Sequence, residues 1–403
     1  MGYILKGSKE YTRASLALFL GGFVTFSILY TTQPLLPVFA KEFHVSAPFA
    51  SLTLSLSTGL LAISMLVSAA LSDAMGKKKI MVLSMFFTSF LAILTALSPN
   101  FITLLILRAL LGIFIAGVPS ISMAYIGEEF HPKGIARIMG LYISGTTIGG
   151  MAGRILIGLL SDIFSWRIAL TAVGGLTLIF SVLFLFALPK SRHTVIKPLD
   201  WKSVGHSYKT HIMNKQLLAL FLLAFLLMGS FVTLYNYIGF LLVDPPYGLS
   251  QTLVGFIFIV YICGTYSSVY MGKKADEYGY TLILKLSIAI MLAGALITLV
   301  PSLIGKIAGL SIFTFGFFAS HSIASSLVGE LAGENKAQAS SLYLLFYYLG
   351  SSLIGSFGGY FWIHFQWYGV ISLILVLLFI GYPLVLAASK RVGRVRGFID
   401  SKF

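Results

Sequence analysis

The sequence predicts an all-α membrane protein whose twelve transmembrane helices form two six-helix bundles. Three observations carry this. The 403 residues are 58% hydrophobic and only 10% charged, whereas a soluble chain carries roughly 25% charged residues, so too little polar surface exists to wrap a water-soluble core. The apolar residues fall into twelve segments of spanning length, one crossing taking about 20 residues. The second half of the chain repeats the first.

The segments lie at about 14–37, 47–72, 79–98, 101–126, 138–160, 167–188, 216–242, 251–271, 281–300, 305–328, 338–361 and 368–389. The first follows Lys6, Lys9 and Arg13 but is too long for a cleaved leader and lacks a cleavage box, so it is read as a retained span. Turn signals separate the spans: Ser98-Pro99-Asn100, His131-Pro132-Lys133-Gly134, Asp244-Pro245-Pro246-Tyr247-Gly248 and Pro301. The longest connection, 190–215, is basic. It divides an N-terminal bundle, 1–189, from a C-terminal bundle, 216–403.

A net charge of +15 would suggest a nucleic-acid partner in a soluble protein, but in a membrane protein the placement of the cations decides. With alternating loops, only Lys41, Arg167 and Lys306 fall on the side opposite the N-terminus. All other loop cations, among them Lys77, Lys78, Lys79, Lys190, Arg192, Lys273, Lys274, Arg391 and Arg394, share the N-terminal side. The positive-inside rule then puts both termini of this multi-pass protein in the cytoplasm. The lone Cys263 offers neither a disulfide nor a cysteine metal site.

The duplication is visible in four places. Ser120 to Glu128 (SISMAYIGE) recurs as Ser322 to Glu330 (SIASSLVGE), Gly145-Thr-Thr-Ile-Gly149 as Gly350-Ser-Ser-Leu-Ile with Gly355 after it, Phe23-Val-Thr25 as Phe231-Val-Thr233, and Asp73-x-x-Gly76 as Asp276-x-x-Gly279. The offsets lie between 202 and 208 and keep one order. Many secondary transporters are built from such repeats, with the substrate path where the repeats meet.

Twelve spans, the 6+6 repeat and the loop Ala69-Ala-Leu-Ser-Asp73-Ala-Met-Gly76-Lys77-Lys78-Lys79 resemble the major facilitator superfamily along the whole chain. The loop is similar to the family's G-x-L-x-D-R-x-G-R-R signature, with Ala69 for the first glycine and Ala74 for the first arginine. Arg108-Ala-Leu-Leu-Gly112 in the fourth span is similar to the family's R-x-x-x-G element. Gly140 to Gly158 in the fifth resembles the glycine-rich motif of proton-coupled efflux members, with Thr146 in place of its proline. The strings Tyr30-Thr-Thr-Gln33-Pro34, Gly153-Arg154 with Ser165-Trp166-Arg167, and Tyr235-Asn236-Tyr237-Ile238-Gly239 resemble a bacterial branch of drug:proton antiporter-like members.

The resemblance implies a cytoplasmic gate of Asp73, Gly76, Lys77 and Glu128, repeated as Asp276, Gly279 and Glu330, that braces the closed cytoplasmic side. A solvated charge cluster that only sets topology is the other reading. Arg108 and Arg154 are the only charges deep inside spans. A guanidinium at depth is costly and is retained where it meets a cavity or a partner. At 1.5 Å per residue, Arg108 lies about 10 Å inward of Phe101 and Arg154 about 9 Å inward of Leu160. Gln33 and Asn236 reach similar depth. Arg108, Arg154, Gln33, Tyr235 and Asn236 are therefore the expected pathway tier, the arginines either orienting an anionic part of the cargo or tying neighbouring carbonyls. His321, about 11 Å inside Val328, is the titratable group available for proton coupling, or else a hydrogen-bonded core histidine.

No G-x-x-x-x-G-K-[ST] phosphate cradle, His-Glu-x-x-His or Cys-x-x-Cys occurs, which argues against fuel hydrolysis and against an enzyme. The expected function is secondary transport of a small organic solute by alternating access, as proton-coupled efflux. Uptake by symport and a non-transporting receptor or scaffold are the alternatives. The expected partners are a small-molecule substrate, protons and the lipid bilayer, with no nucleic acid, no cofactor, and the chain acting as a monomer.

Overall fold

Serine and asparagine open the helices where the sequence carries its turn signals. Ser8, Asn100, Ser165, Ser250 and Ser302 each accept a hydrogen bond from the backbone N–H three residues on, satisfying a donor that the first helical turn leaves unpaired. In this computed structural model, which describes residues 3–131, 134–193, 201–333 and 336–389 with side chains at all but 73, 136, 201–204, 337 and 389, fifteen helices follow in order. They are α1 (Lys9–Leu29), α2 (Leu36–Glu42), α3 (Ala47–Met75), α4 (Lys77–Ala96), α5 (Phe101–Phe114), α6 (Gly117–Glu129), α7 (Ile135–Ile163) and α8 (Trp166–Ala187), then α9 (Trp201–Met213), α10 (Lys215–Val243), α11 (Gln251–Phe256), α12 (Tyr261–Tyr278), α13 (Tyr280–Ile297), α14 (Leu303–Leu331) and α15 (Lys336–Ser389).

Eleven helical stretches among the described residues are long and apolar enough to cross a membrane, the last being 51 residues, Gln338–Ala388. Unbroken, 51 residues would run about 75 Å, more than twice the hydrocarbon thickness of about 30 Å. Gln366 breaks it with φ 51° and ψ −143°. At this bend the backbone doubles so tightly that a Cβ on Gly369 would lie 2.5 Å from the Phe361 carbonyl oxygen. Two crossings therefore sit in α15, and the expected twelve are present.

Two expected spans are interrupted. The fourth divides into α5 and α6, where Pro119, in the first turn of α6, has no N–H to return to the Ile115 carbonyl; beside this break the Phe114 carbonyl accepts from the Ser84 hydroxyl at 2.6 Å. The eighth is α11, a 3₁₀ turn at Ile257–Val260, and α12.

The chain forms two compact units, Met1–Leu199 with Ile238–Ile259, and Asp200–Tyr237 with Val260–Phe403. Each carries the same internal joint. In the first, α7 lies so close to α1 that a Cβ on Gly145 would strike the Phe19 carbonyl and one on Gly153 the Ser27 backbone, and Ser27 Oγ donates to the Gly149 carbonyl at 2.9 Å. In the second, Gly350 meets the Phe225 carbonyl, Gly358 meets Thr233, and Thr233 Oγ1 donates to the Ile354 carbonyl at 3.2 Å. Small residues let the backbones approach where lipid supplies no hydrophobic driving force between helices. The α3–α4 and α12–α13 corners also repeat, turning on Gly76 at φ 92° and Gly279 at φ 91°, values that only glycine adopts without strain.

Candidate functional site

Helix α1 stops at Leu29 and leaves carbonyls without helical partners, and Pro34 keeps the chain in a run of turns until α2. Both intramembrane arginines converge on this break. Arg108, 1% exposed, donates from Nη1 to the Ile28 carbonyl at 3.3 Å, from Nη2 to the Leu29 carbonyl at 2.7 Å and from Nε to the Thr53 carbonyl of α3 at 2.8 Å. Its own carbonyl accepts from Ser57 Oγ at 2.7 Å. One turn on, a Cβ on Gly112 would lie 2.5 Å from the Ser57 carbonyl oxygen. The Arg-x-x-x-Gly spacing thus does two things on one face of α5: the glycine lets α3 come close and the arginine fastens it to the end of α1.

Arg154 on α7 is equally buried, 2% exposed, but its surroundings differ. Nε donates to Gln33 Oε1 at 2.9 Å, and Nη1 to the Gly150 carbonyl at 2.6 Å. The guanidinium carbon lies 4.1 Å from the Tyr30 ring centroid and 4.5 Å from that of Phe258. Gly150, one turn earlier on α7, leaves room for the side chain to fold back, since a Cβ there would stand 3.3 Å from Nη1. A guanidinium placed between two π faces carries charged N–H donors of the kind that suit an anion or a hydrogen-bond acceptor. Gln33 and Arg154 are the pair of expected pathway residues that the structure brings into direct contact.

Tyr235 and Asn236 belong to the second unit. Tyr235 Oη shares a hydrogen bond of 2.7 Å with Thr314 Oγ1, and its ring packs on Phe231 and edge-on to Tyr261, with centroids 4.8 and 5.3 Å away. Asn236 is fully buried. In the same unit His321 Nδ1 and Tyr343 Oη are 2.9 Å apart, and the imidazole stacks on Phe317 and tilts against Tyr347 at 4.6 Å. Phe231 lies on the other neighbour of this ladder, stacked on Phe317 at 3.9 Å.

At the α3–α4 corner the buried Lys77 pairs with Glu128 Oε2 at 2.9 Å; the Asp73 side chain falls outside the described ones. In the second repeat the position equivalent to Lys77 is Tyr280, whose hydroxyl donates to Asp276 Oδ1 at 3.0 Å with the Glu330 carboxylate beside it. The positions expected to form a gate are therefore paired within each unit, by an ion pair in the first and by a phenol in the second.

Two acids escaped the sequence reading. Glu129, 1% exposed, accepts from the backbone N–H groups of Arg192 and His193 at 2.8 and 2.9 Å and lies 3.4 Å from His193 Nδ1, while Glu10 pairs with Arg192 and the Ile4 N–H reaches the Glu129 carbonyl at 2.8 Å. The doubled acid Glu128-Glu129 was the available signal. Asp162, at the end of α7, accepts from the Gln251 and Thr252 N–H groups at 3.1 and 2.7 Å. Nothing in the spacing marks it. Among the described residues no cluster of three His, Cys, Asp or Glu suited to a metal occurs.

Known proteins match this chain along its length. The sequence model of the Major Facilitator Superfamily matches residues 18–355. The "Uncharacterized MFS-type transporter YybF" of Bacillus subtilis is 49% identical over 380 residues, covering 94% of both chains, and the "Inner membrane transport protein YnfM" of Escherichia coli is 44% identical, covering 94% of this chain and 91% of that protein. Among solved structures, the nucleoside transporter NupG superposes with a TM-score of 0.76 at 17% identity over 94% of this chain and all of that one. A bacterial homologue of the human lysosomal transporter Spinster, inward-facing and unoccupied, superposes with a TM-score of 0.75 at 18% identity, covering 95% and 98%. These two share the fold. With the family's sequence pattern covering most of the chain, and relatives above 40% identity aligned nearly end to end, the chain belongs to the major facilitator superfamily and is a membrane transporter, not an enzyme.

Proposed function

We propose that the protein moves a small organic solute with an anionic or hydrogen-bond-accepting group across the bacterial inner membrane, as a monomeric proton-coupled exporter working by alternating access. The supporting observation is Arg154: a guanidinium buried within the span, hydrogen-bonded to Gln33 and held between Tyr30 and Phe258. Burying a charge in a bilayer protein is expensive, and such a residue is retained where it meets a cavity or a partner. Arg108, whose Nε, Nη1 and Nη2 all donate to backbone carbonyls, serves this site from behind by fixing residues 28–33. Tyr235 and Asn236 are the proposed pathway residues of the second unit. The two bundles, 1–189 and 216–403 joined through 190–215, are the moving bodies, and both termini lie in the cytoplasm as the loop cations indicate.

His321 with Tyr343 is the proposed proton carrier, because an imidazole nitrogen can take up and release a proton and a phenol hydroxyl 2.9 Å away gives that proton a donor or acceptor on the neighbouring helix.

A thermal-shift screen of the purified protein in lipid nanodiscs tests the reading, using metabolite anions, sugars and antibiotics as probes. Carboxylate or sulfonate solutes should stabilise the protein, and Arg154→Gln should remove that shift. Stabilisation by neutral sugars alone, undiminished in Arg154→Gln, would overturn the assignment of Arg154.

A further inference from the structure

We propose that Asp162 is a positioning residue that fastens the first turns of span eight as a lid over Arg154. The proposal rests on the reading of Arg154 as the solute site and adds how that site is covered.

Helix α11 is held at its start by a group from another helix. Asp162 Oδ1 and Oδ2 accept from the Gln251 and Thr252 N–H groups at 3.1 and 2.7 Å, and the Ser250 and Thr252 hydroxyls also reach this carboxylate. Charge-assisted bonds to helix-terminal N–H groups are among the stronger hydrogen bonds available to a protein, and they fix both the depth and the rotation of the helix that supplies them.

One turn inward on each helix the backbones themselves meet. A Cβ on Gly158 would collide with the Gln251 carbonyl, and one on Gly255 would come within 2.9 Å of the Arg154 carbonyl oxygen. Bare backbones can slide apart and return without unlocking side chains. Three residues beyond Gly255, Phe258 lays its ring on the Arg154 guanidinium at 4.5 Å. Asp162, the glycine crossing and Phe258 thus lie along one line, two turns of α7 from carboxylate to guanidinium.

The joint is visible as well. Ile257–Val260 is a 3₁₀ turn, a form that inside a long helix often marks a hinge. The chain passes from the first unit to the second between Ile259 and Val260, within this turn. Everything before it, with Ile238–Val243 at the end of α10, packs as part of the first unit, although covalently it interrupts the second. A short segment borrowed in this way can be returned, and its return would lift Phe258 from Arg154.

The test is hydrogen–deuterium exchange by mass spectrometry on the full-length protein in nanodiscs, with no solute needed. In Asp162→Ala the amides of residues 253–258 should exchange roughly tenfold faster, the loss of charge-assisted bonds converted to a population, while α1 and the rest of α7 keep their protection. Gly158→Ala, which pushes on the same segment one turn inward on α7, should give the same pattern, and Asp162→Glu should restore most of the protection. Faster exchange confined to Gln251 and Thr252 would reduce Asp162 to a simple helix cap and overturn the proposal, as would unchanged exchange. Arg154→Lys should leave the exchange response to Asp162→Ala in place. A lid that responds alongside an Arg154 that binds no anion would therefore fail the solute reading and not this one.

Discussion

Arg154 Nε lies 2.9 Å from Gln33 Oε1, joining the middle of α7 to the unwound turn after α1. This contact joins two polar residues far apart in sequence into the proposed recognition element, with Tyr30 and Phe258 on the guanidinium. Lysine would keep the charge but lose the planar stack and the fixed fork. Arg154→Lys should therefore weaken solute binding at least about tenfold, equivalent to one charged hydrogen bond, with the protein still inserted and monodisperse. Titration of a stabilising solute against both proteins measures it.

Arg108 should behave differently. Its guanidinium nitrogens Nε, Nη1 and Nη2 all go to carbonyls of α1 and α3, so Arg108→Lys should lower stability by about 2–4 kcal/mol through loss of one or two charged hydrogen bonds. Solute affinity of the folded fraction should stay within a few-fold. Thermal denaturation in nanodiscs, read beside the same titration, separates the two arginines.

The repeated helix joint makes a symmetric expectation. Gly145→Ala and Gly350→Ala place a methyl against the Phe19 and Phe225 carbonyls of corresponding helix pairs, and each should cost about 1–3 kcal/mol as overpacking. Gly175, with open space at its Cβ position, is the control: alanine there should leave the melting temperature unchanged or raise it slightly.

His321→Gln should flatten the pH dependence of transport, since it keeps a hydrogen-bonding group beside Tyr343 but removes the titratable one. Tyr343→Phe should keep a pH dependence but move its midpoint. Solute efflux from proteoliposomes across a pH series measures both. An unaltered profile in His321→Gln would send the proton to another group.

Much of the architecture was legible because the bilayer imposes it. Spans are counted by apolar length, and a duplicated sequence predicts a duplicated backbone; Gly76 and Gly279 turn with nearly the same φ, and Ser27 and Thr233 make the same bond to α7 and to the first half of α15. The Lys77–Glu128 pair lay within reach of motif reading because both partners are side chains. What stayed hidden were contacts in which one partner is backbone. Every residue has a carbonyl and an N–H, so no pattern announces that Arg108 will take those of Ile28, Leu29 and Thr53, that Glu129 will hold Arg192 and His193, or that Asp162 will cap α11. Side-chain direction was hidden for a related reason: where a helix is apolar all round, spacing does not say which face meets protein, and Arg108 and Arg154 at equal depth could not be told apart.

Gradient-driven flux through the reconstituted protein is the most direct measurement. Proteoliposomes with an imposed pH gradient, loaded with a panel of carboxylate and sulfonate solutes, should release at least one of them in a gradient-dependent way, and Arg154→Lys of equal insertion should lose most of that flux. Equal flux through Arg154→Lys, or no solute moving under a gradient of either sign, would contradict the account.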